Sequence, residues 1–141
     1  MKYAIRTLVL TLTMLPLLAT AQLSGTEKIV AQVPFEFTVG SKVVPSGQWI
    51  VQPASMNGKV LVIRNAGAKA GLFAAASLVE SKKAAENCTL IFHRYGDSYF
   101  LTGVKVAGTR TSYKLPESKA EVEMRAQNVP ATDEILLASL K

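Results

Sequence analysis

The chain holds one imidazole and one thiol, His93 and Cys88, so any imidazole or thiol chemistry must run through them. His93 lies in the run His93-Arg94-Tyr95-Gly96-Asp97-Ser98-Tyr99, which brings a carboxylate, Asp97, within a few residues. A positioned histidine with a carboxylate partner can take up a proton as a general base. Cys88 precedes His93 by five residues, and an odd separation along a strand puts two side chains on opposite faces, so a thiol–imidazole dyad fails on geometry unless a bulge intervenes. No Gly-x-Ser-x-Gly elbow, Ser-x-x-Lys pair or phosphate loop accompanies the histidine. A metal site needs three or four convergent ligands, and one His and one Cys leave only carboxylates, with no spaced Asp cluster of the calcium-loop kind. No metal and no cofactor are therefore expected. The favoured account of this region is structural: Gly96 and Asp97 supply turn geometry, Arg94 and Tyr99 form a cross-strand pair, and His93 is a half-buried strand residue. His93, Arg94, Tyr95, Asp97 and Tyr99 remain as candidate binding residues, with no catalytic residue assigned.

The elements that must carry these residues are strands. Thr89 to Val106 reads as a hairpin in which Gly96-Asp97 forms a two-residue turn with glycine first, so that Tyr95 faces Ser98, Arg94 faces Tyr99 and His93 faces Phe100. From Ile29 to Val39 the sequence alternates without a break, with Ile29, Ala31, Val33, Phe35, Phe37 and Val39 on the buried side. Pro34 lacks an N–H and puts an edge, bulge or bend in that run, allowing one segment to serve two sheets. Gly40-Ser41-Lys42 and Val44-Pro45-Ser46-Gly47 are turns, and Gln48 to Gln52 is the strand that follows them. Asn57-Gly58 predicts a two-residue type I′ hairpin leading into Lys59 to Arg64. Asn65-Ala66-Gly67 ends that strand, and Ala70 to Ala76 is read as another.

Helical signals come late. Pro116 suits a first turn, Glu117 to Gln127 is rich in helix formers, and Lys119–Glu123 and Glu121–Arg125 are opposite-charge pairs four apart. The helix has a thin apolar face of Ala120, Met124 and Val122, so it is expected to lie on the surface. Glu134 to Leu140 reads as a final strand in preference to a helical turn capped at Thr132. The whole is all-β with one short C-terminal helix: a small antiparallel β-sandwich or partly open barrel of about seven strands. Phe35, Phe37, Trp49, Phe73, Phe92, Tyr99 and Phe100 are assigned to its core, because a domain of this size has few large apolar side chains to spare for lining a cavity.

Composition fits one domain: 141 residues, 49% hydrophobic and 18% charged. Lys2 and Arg6, the apolar run Leu8 to Leu18 and the small residues Ala19-Thr20-Ala21 make residues 1–21 a cleaved secretory signal peptide. Its apolar core is interrupted by Pro16 and falls short of the roughly 20 residues that span a bilayer. Cleavage after Ala21 leaves residues 22–141 as a single β domain, periplasmic or secreted, without a transmembrane span. The leader carries two of the 16 basic residues and no acid, leaving a net charge of +4 from 14 basic and 10 acidic side chains. The basic residues are scattered, with only Lys82-Lys83 adjacent, so no nucleic acid is expected as a partner. A lone thiol in an exported domain reads as buried and inert, or otherwise as one half of an intermolecular disulfide.

Val33-Pro34-Phe35-Glu36-Phe37-Thr38-Val39-Gly40, Pro45-Ser46-Gly47-Gln48-Trp49-Ile50-Val51, Phe92-His93-Arg94-Tyr95-Gly96-Asp97-Ser98-Tyr99-Phe100-Leu101 and Leu115-Pro116-Glu117-Ser118 together resemble a group of small, exported, β-rich bacterial proteins of uncharacterised role. That resemblance implies a shared β fold and export, and carries no activity, ligand or site residue. The expected role is interaction with a partner protein or an envelope component, without catalysis. The alternatives are a small-molecule carrier with a pocket at one barrel end and, ranked last, a hydrolase using His93 and Asp97.

Overall fold

The computed structural model describes residues 27–55, 57–68 and 71–141. The expected signal peptide and its cleavage site lie outside the described residues. Eleven strands and one helix follow in the order β1 (Ile29–Val33), β2 (Phe37–Val39), β3 (Lys42–Val44), β4 (Gly47–Pro53), β5 (Val60–Asn65), β6 (Leu72–Ala75), β7 (Ser77–Glu80), β8 (Cys88–Tyr95), β9 (Ser98–Lys105), β10 (Thr111–Lys114), α1 (Lys119–Ala126) and β11 (Ala131–Leu140). The strands form one curled sheet, a half-barrel, in the order β3-β2-β9-β8-β11-β1-β4-β5-β6, with β10 set against β9 and β7 against β10. All-β with one short C-terminal helix is therefore the architecture, although it is divided into eleven strands where about seven were expected.

The extra divisions have identifiable causes. Pro34 ends β1, which pairs with β4 and β11, and the chain resumes as β2, which joins β9 in parallel at Thr38–Phe100. The unbroken alternation from Ile29 to Val39 thus serves two parts of the sheet. β6 runs through Ala76 into β7, which leaves β5 and takes up β10. On β9, Ile91 pairs with Gly103 but Phe92 pairs with Leu101, so Thr102 is an extra residue, its hydroxyl donating to the Ile91 carbonyl at 3.2 Å. This bulge separates the part of β9 that holds β10, Gly103 to Lys105, from the part that meets β2 at Phe100.

The hairpin of β8 and β9 has the register read from its turn: Tyr95–Ser98, Arg94–Tyr99 and His93–Phe100, with Gly96 at φ 60°. The Asn57-Gly58 expectation is corrected. The ladder of β4 and β5 ends at Pro53–Leu61, with Ala54 N–H donating to the Val60 carbonyl, so the loop is longer than two residues. Gly58 has φ 65° but Asn57 is not in the left-handed region, and its side chain instead accepts from Ser55 Oγ and Lys59 N–H. The final segment is a strand, as expected, and it joins β8 to β1.

Inside the curl, β1, β4, β5 and the first half of β8 turn every second side chain inward, while β9 is buried continuously from Phe100 to Val104. Phe92 is fully buried and Phe37 nearly so; their rings meet edge to face at 5.3 Å, and Phe37 meets Trp49 at 5.4 Å. Phe35 stands edge-on to Phe92 and lies flat on Tyr99 at 3.7 Å. Such pairs add about 0.5–1.5 kcal/mol each beyond their buried area. Cys88 is buried at the foot of this core, its sulfur accepting from Ala107 N–H at 3.3 Å. Phe73 does not belong to it. The β6 register points Ala74 inward with Leu72 half-buried beside the core, and leaves Phe73 76% exposed.

Candidate functional site

The candidate residues of the β8–β9 hairpin separate onto its two faces, as alternation requires. On one face Arg94 lies over the Tyr99 ring, 5.4 Å from its centre, while its Nε donates to the Gly96 carbonyl at 2.8 Å. Tyr99 in turn stacks on Phe35, so these two candidates are tied into a packed column. Asp97 sits in the turn and lines a groove of about 770 Å³ bounded by α1, β2 and the start of β9. His93 and Tyr95 lie on the other face, which α1 and β11 border.

There the histidine takes a partner that the sequence reading did not assign. His93 Nδ1 is 2.5 Å from Glu121 Oε1, and Tyr95 O–H donates to the same oxygen at 3.4 Å. On the other side of the ring, Nε2 is 3.6 Å from Asp133 of β11. Glu121 is 1% exposed, the one buried side chain of α1. The carboxylate partners of His93 are thus Glu121 and Asp133, and the His93–Asp97 pairing of the hydrolase alternative is not formed. Burial raises the ionisation of Tyr95 above its ordinary value, and the neighbouring Glu121 charge and hydrogen bond push it the same way.

Glu121 reaches this position through the way α1 begins. Ser118 is the N-cap, with extended backbone at φ −76° and ψ 161°, and its hydroxyl accepts from Glu121 N–H at 3.1 Å. Pro116 therefore lies ahead of the helix and not in its first turn. Ser118-x-x-Glu121 has the spacing of a capping box, in which the glutamate would reach back to the cap. Here only the serine half is used, and the carboxylate goes to His93 instead. The expected Glu121–Arg125 pair gives way to Arg125–Glu117 at 2.6 Å. The expected apolar face is also corrected: Ala120 and Val122 are exposed and Met124 is half-buried. The readable signal was the capping-box spacing together with a single imidazole in the chain, since a glutamate at that helical position can turn inward when a basic group waits there.

A second feature lies away from this cluster. β3 and β6, the end strands of the curl, flank a gap of about 510 Å³ whose floor includes Leu115 and Pro116. Ala76 N–H donates to the Lys59 carbonyl at 2.8 Å, which fixes the hydrogen-bonded pairs of this ladder as 59/76, 61/74 and 63/72. Phe73 and Ala75 consequently aim their N–H and C=O groups away from β5, and among the described residues no backbone group meets them. Val43, midway along β3, is 63% exposed.

Among the described residues, no group of three or more His, Cys, Asp or Glu side chains converges as a metal site, and no helix is long and apolar enough to cross a membrane. The fold and these two features define an all-β half-barrel carrying one docked helix. Set against protein-family models, curated proteins and solved structures, the chain matches none of them.

Proposed function

We propose that this protein is an exported, non-catalytic β domain that acts by interaction, and that it does so by accepting an extended segment of a partner, a protein or a protein component of the envelope, along the free edge of β6. The observation that carries this reading is Phe73, 76% exposed in the middle of a strand whose outward backbone groups meet no backbone partner among the described residues. An open strand edge is a template for another strand, and natural β proteins usually blunt such edges with charge, proline or a covering loop. β6, Leu-Phe-Ala-Ala, has neither charge nor proline. An added strand would gain main-chain hydrogen bonds at Phe73 and Ala75 and an apolar contact from the phenyl ring.

The carrier alternative needs a hollow interior. The enclosed space among Val51, Leu61, Val104 and Tyr113 is about 20 Å³, room for a single water, and Phe37, Trp49 and Phe92 pack edge to face in the interior, which weighs against that alternative. Export rests on the sequence of residues 1–21 and on the resemblance described above.

The test is capture of partners from native envelope by wild-type protein, Phe73→Asp, Ala75→Pro and His93→Ala. Proline at position 75 removes an N–H that β5 does not use, so the fold should survive it. Partners held by the wild type and by His93→Ala but lost by both edge variants support the proposal. Equal capture by all four, with the edge variants folded, refutes it.

A further inference from the structure

Helix α1 is eight residues long, and helices of that length are marginal unless something outside them holds their order. An apolar stripe is the usual device, and this helix lacks one: its buried side chain is the Glu121 carboxylate. Its attachment to the sheet is therefore mainly polar, through His93 at 2.5 Å and Tyr95 at 3.4 Å. The segment is fixed independently at both ends. Leu115 is buried and its N–H donates to the Thr102 carbonyl at 2.9 Å, while Ala131 begins the long ladder of β11 opposite Tyr95. Residues 116–130 could leave the surface without breaking any strand pairing.

We propose that α1 is a releasable flap, latched to the half-barrel by Glu121 on His93 and Tyr95, and that its release unwinds the helix and opens the groove between α1, β2 and β9. The flap supplies one wall of that 770 Å³ groove, from Ser118 to Met124. Tyr95 and Phe100, each 4% exposed, lie beneath or beside it and are uncovered as it leaves. The other charged groups nearby leave the latch intact: Arg125 is held by Glu117, and Asp133 sits on the far nitrogen of His93. Losing His93 strands a buried carboxylate, which favours release of the whole helix, whereas an apolar stripe loosens by degrees. The flap is independent of the β6 edge and stands or falls separately from the proposed interaction.

Amide hydrogen exchange on the full domain tests it, with wild type, His93→Ala, Tyr95→Phe and Glu121→Gln compared. In His93→Ala, exchange across residues 119–130 should rise at least tenfold while β8, β9 and β11 keep wild-type protection. Tyr95→Phe, which removes only the longer hydrogen bond, and Glu121→Gln, whose amide can still reach His93, should give smaller rises confined to the same segment. A thiol introduced by Ser98→Cys in the groove should be modified faster, by a similar factor, when combined with His93→Ala. Unchanged protection of 119–130 in His93→Ala overturns the proposal. So does a matching loss of protection in β8, β9 and β11, in any of these variants, because His93 would then hold the sheet and not the flap. Unchanged labelling at position 98 overturns the opening of the groove.

Discussion

Removing His93 and Glu121 one at a time and together measures how strongly the two depend on each other. A fully enclosed carboxylate stripped of its partner destabilises a fold by roughly 3–5 kcal/mol. The His93 side chain is 34% exposed, so water enters the space that alanine leaves, and the cost of His93→Ala falls to about 2 kcal/mol. It is capped in any case by the free energy with which α1 docks, since the helix detaches before the carboxylate endures a larger penalty. Glu121→Ala leaves an imidazole that water and Asp133 can satisfy, and should cost about 1–2 kcal/mol. With both gone nothing charged is stranded, so the double variant should cost about 2 kcal/mol, against a sum of about 3–4, a coupling of roughly 1–2 kcal/mol. Urea denaturation at neutral pH, with a common slope for all four proteins, reads these values directly. Additivity within about 0.5 kcal/mol would refute the reasoning, for it would mean that the short contact does not hold Glu121 in place.

Other consequences follow from the same geometry. Tyr95 and Tyr113 both ionise above their ordinary value of 10.0, chiefly through burial, so the folded state keeps protons that the unfolded chain gives up. Their contribution is whole below pH 10.0 and is lost as the pH climbs beyond it, and Tyr95→Phe should make stability fall less steeply on the alkaline side; an unaltered slope would count against burial of that hydroxyl. Phe92→Ala, at the fully buried centre of the aromatic cluster, should cost about 3–5 kcal/mol in chemical denaturation. A loss below about 1 kcal/mol would contradict the packing described. Gly96→Ala, at φ 60° with open space around the missing Cβ, should cost about 1 kcal/mol from backbone strain alone, with the β8–β9 register unchanged by NMR.

What could be read in the sequence was whatever local chemistry decides. The hairpin at Gly96-Asp97 carries its register in its turn, so Arg94 over Tyr99 and His93 opposite Phe100 followed from counting, as did the break at Pro34. The opposite faces of Cys88 and His93 followed from parity: the thiol is buried in the core and the imidazole faces α1. The misreadings occur where tertiary contacts override a local preference. Asn57-Gly58 had a more relaxed loop available, because the ladder of β4 and β5 ends at Pro53–Leu61 and leaves room for Asn57 to cap its own turn. Glu121 was paired with Arg125 four residues on, as helical spacing allows, and only a histidine arriving from a strand 28 residues earlier makes its burial tolerable. Phe73 was assigned to the core because a domain of this size has few large apolar side chains to spare. In this four-residue strand Leu72, Ala74 and the following Ala76 take the inward positions, and the ring between them is left outside.

That outward ring, beside backbone groups that no described residue pairs, is tested most directly by site-specific photo-crosslinking. A photoreactive side chain at position 73, in protein mixed with native envelope, should give a discrete protein adduct. Adding Ala75→Pro, which removes the outward N–H and spares the ladder to β5, should abolish that adduct while the far-ultraviolet spectrum and melting temperature stay near those of the parent. An absent adduct, or one of equal yield with proline at position 75, would contradict recognition through this edge.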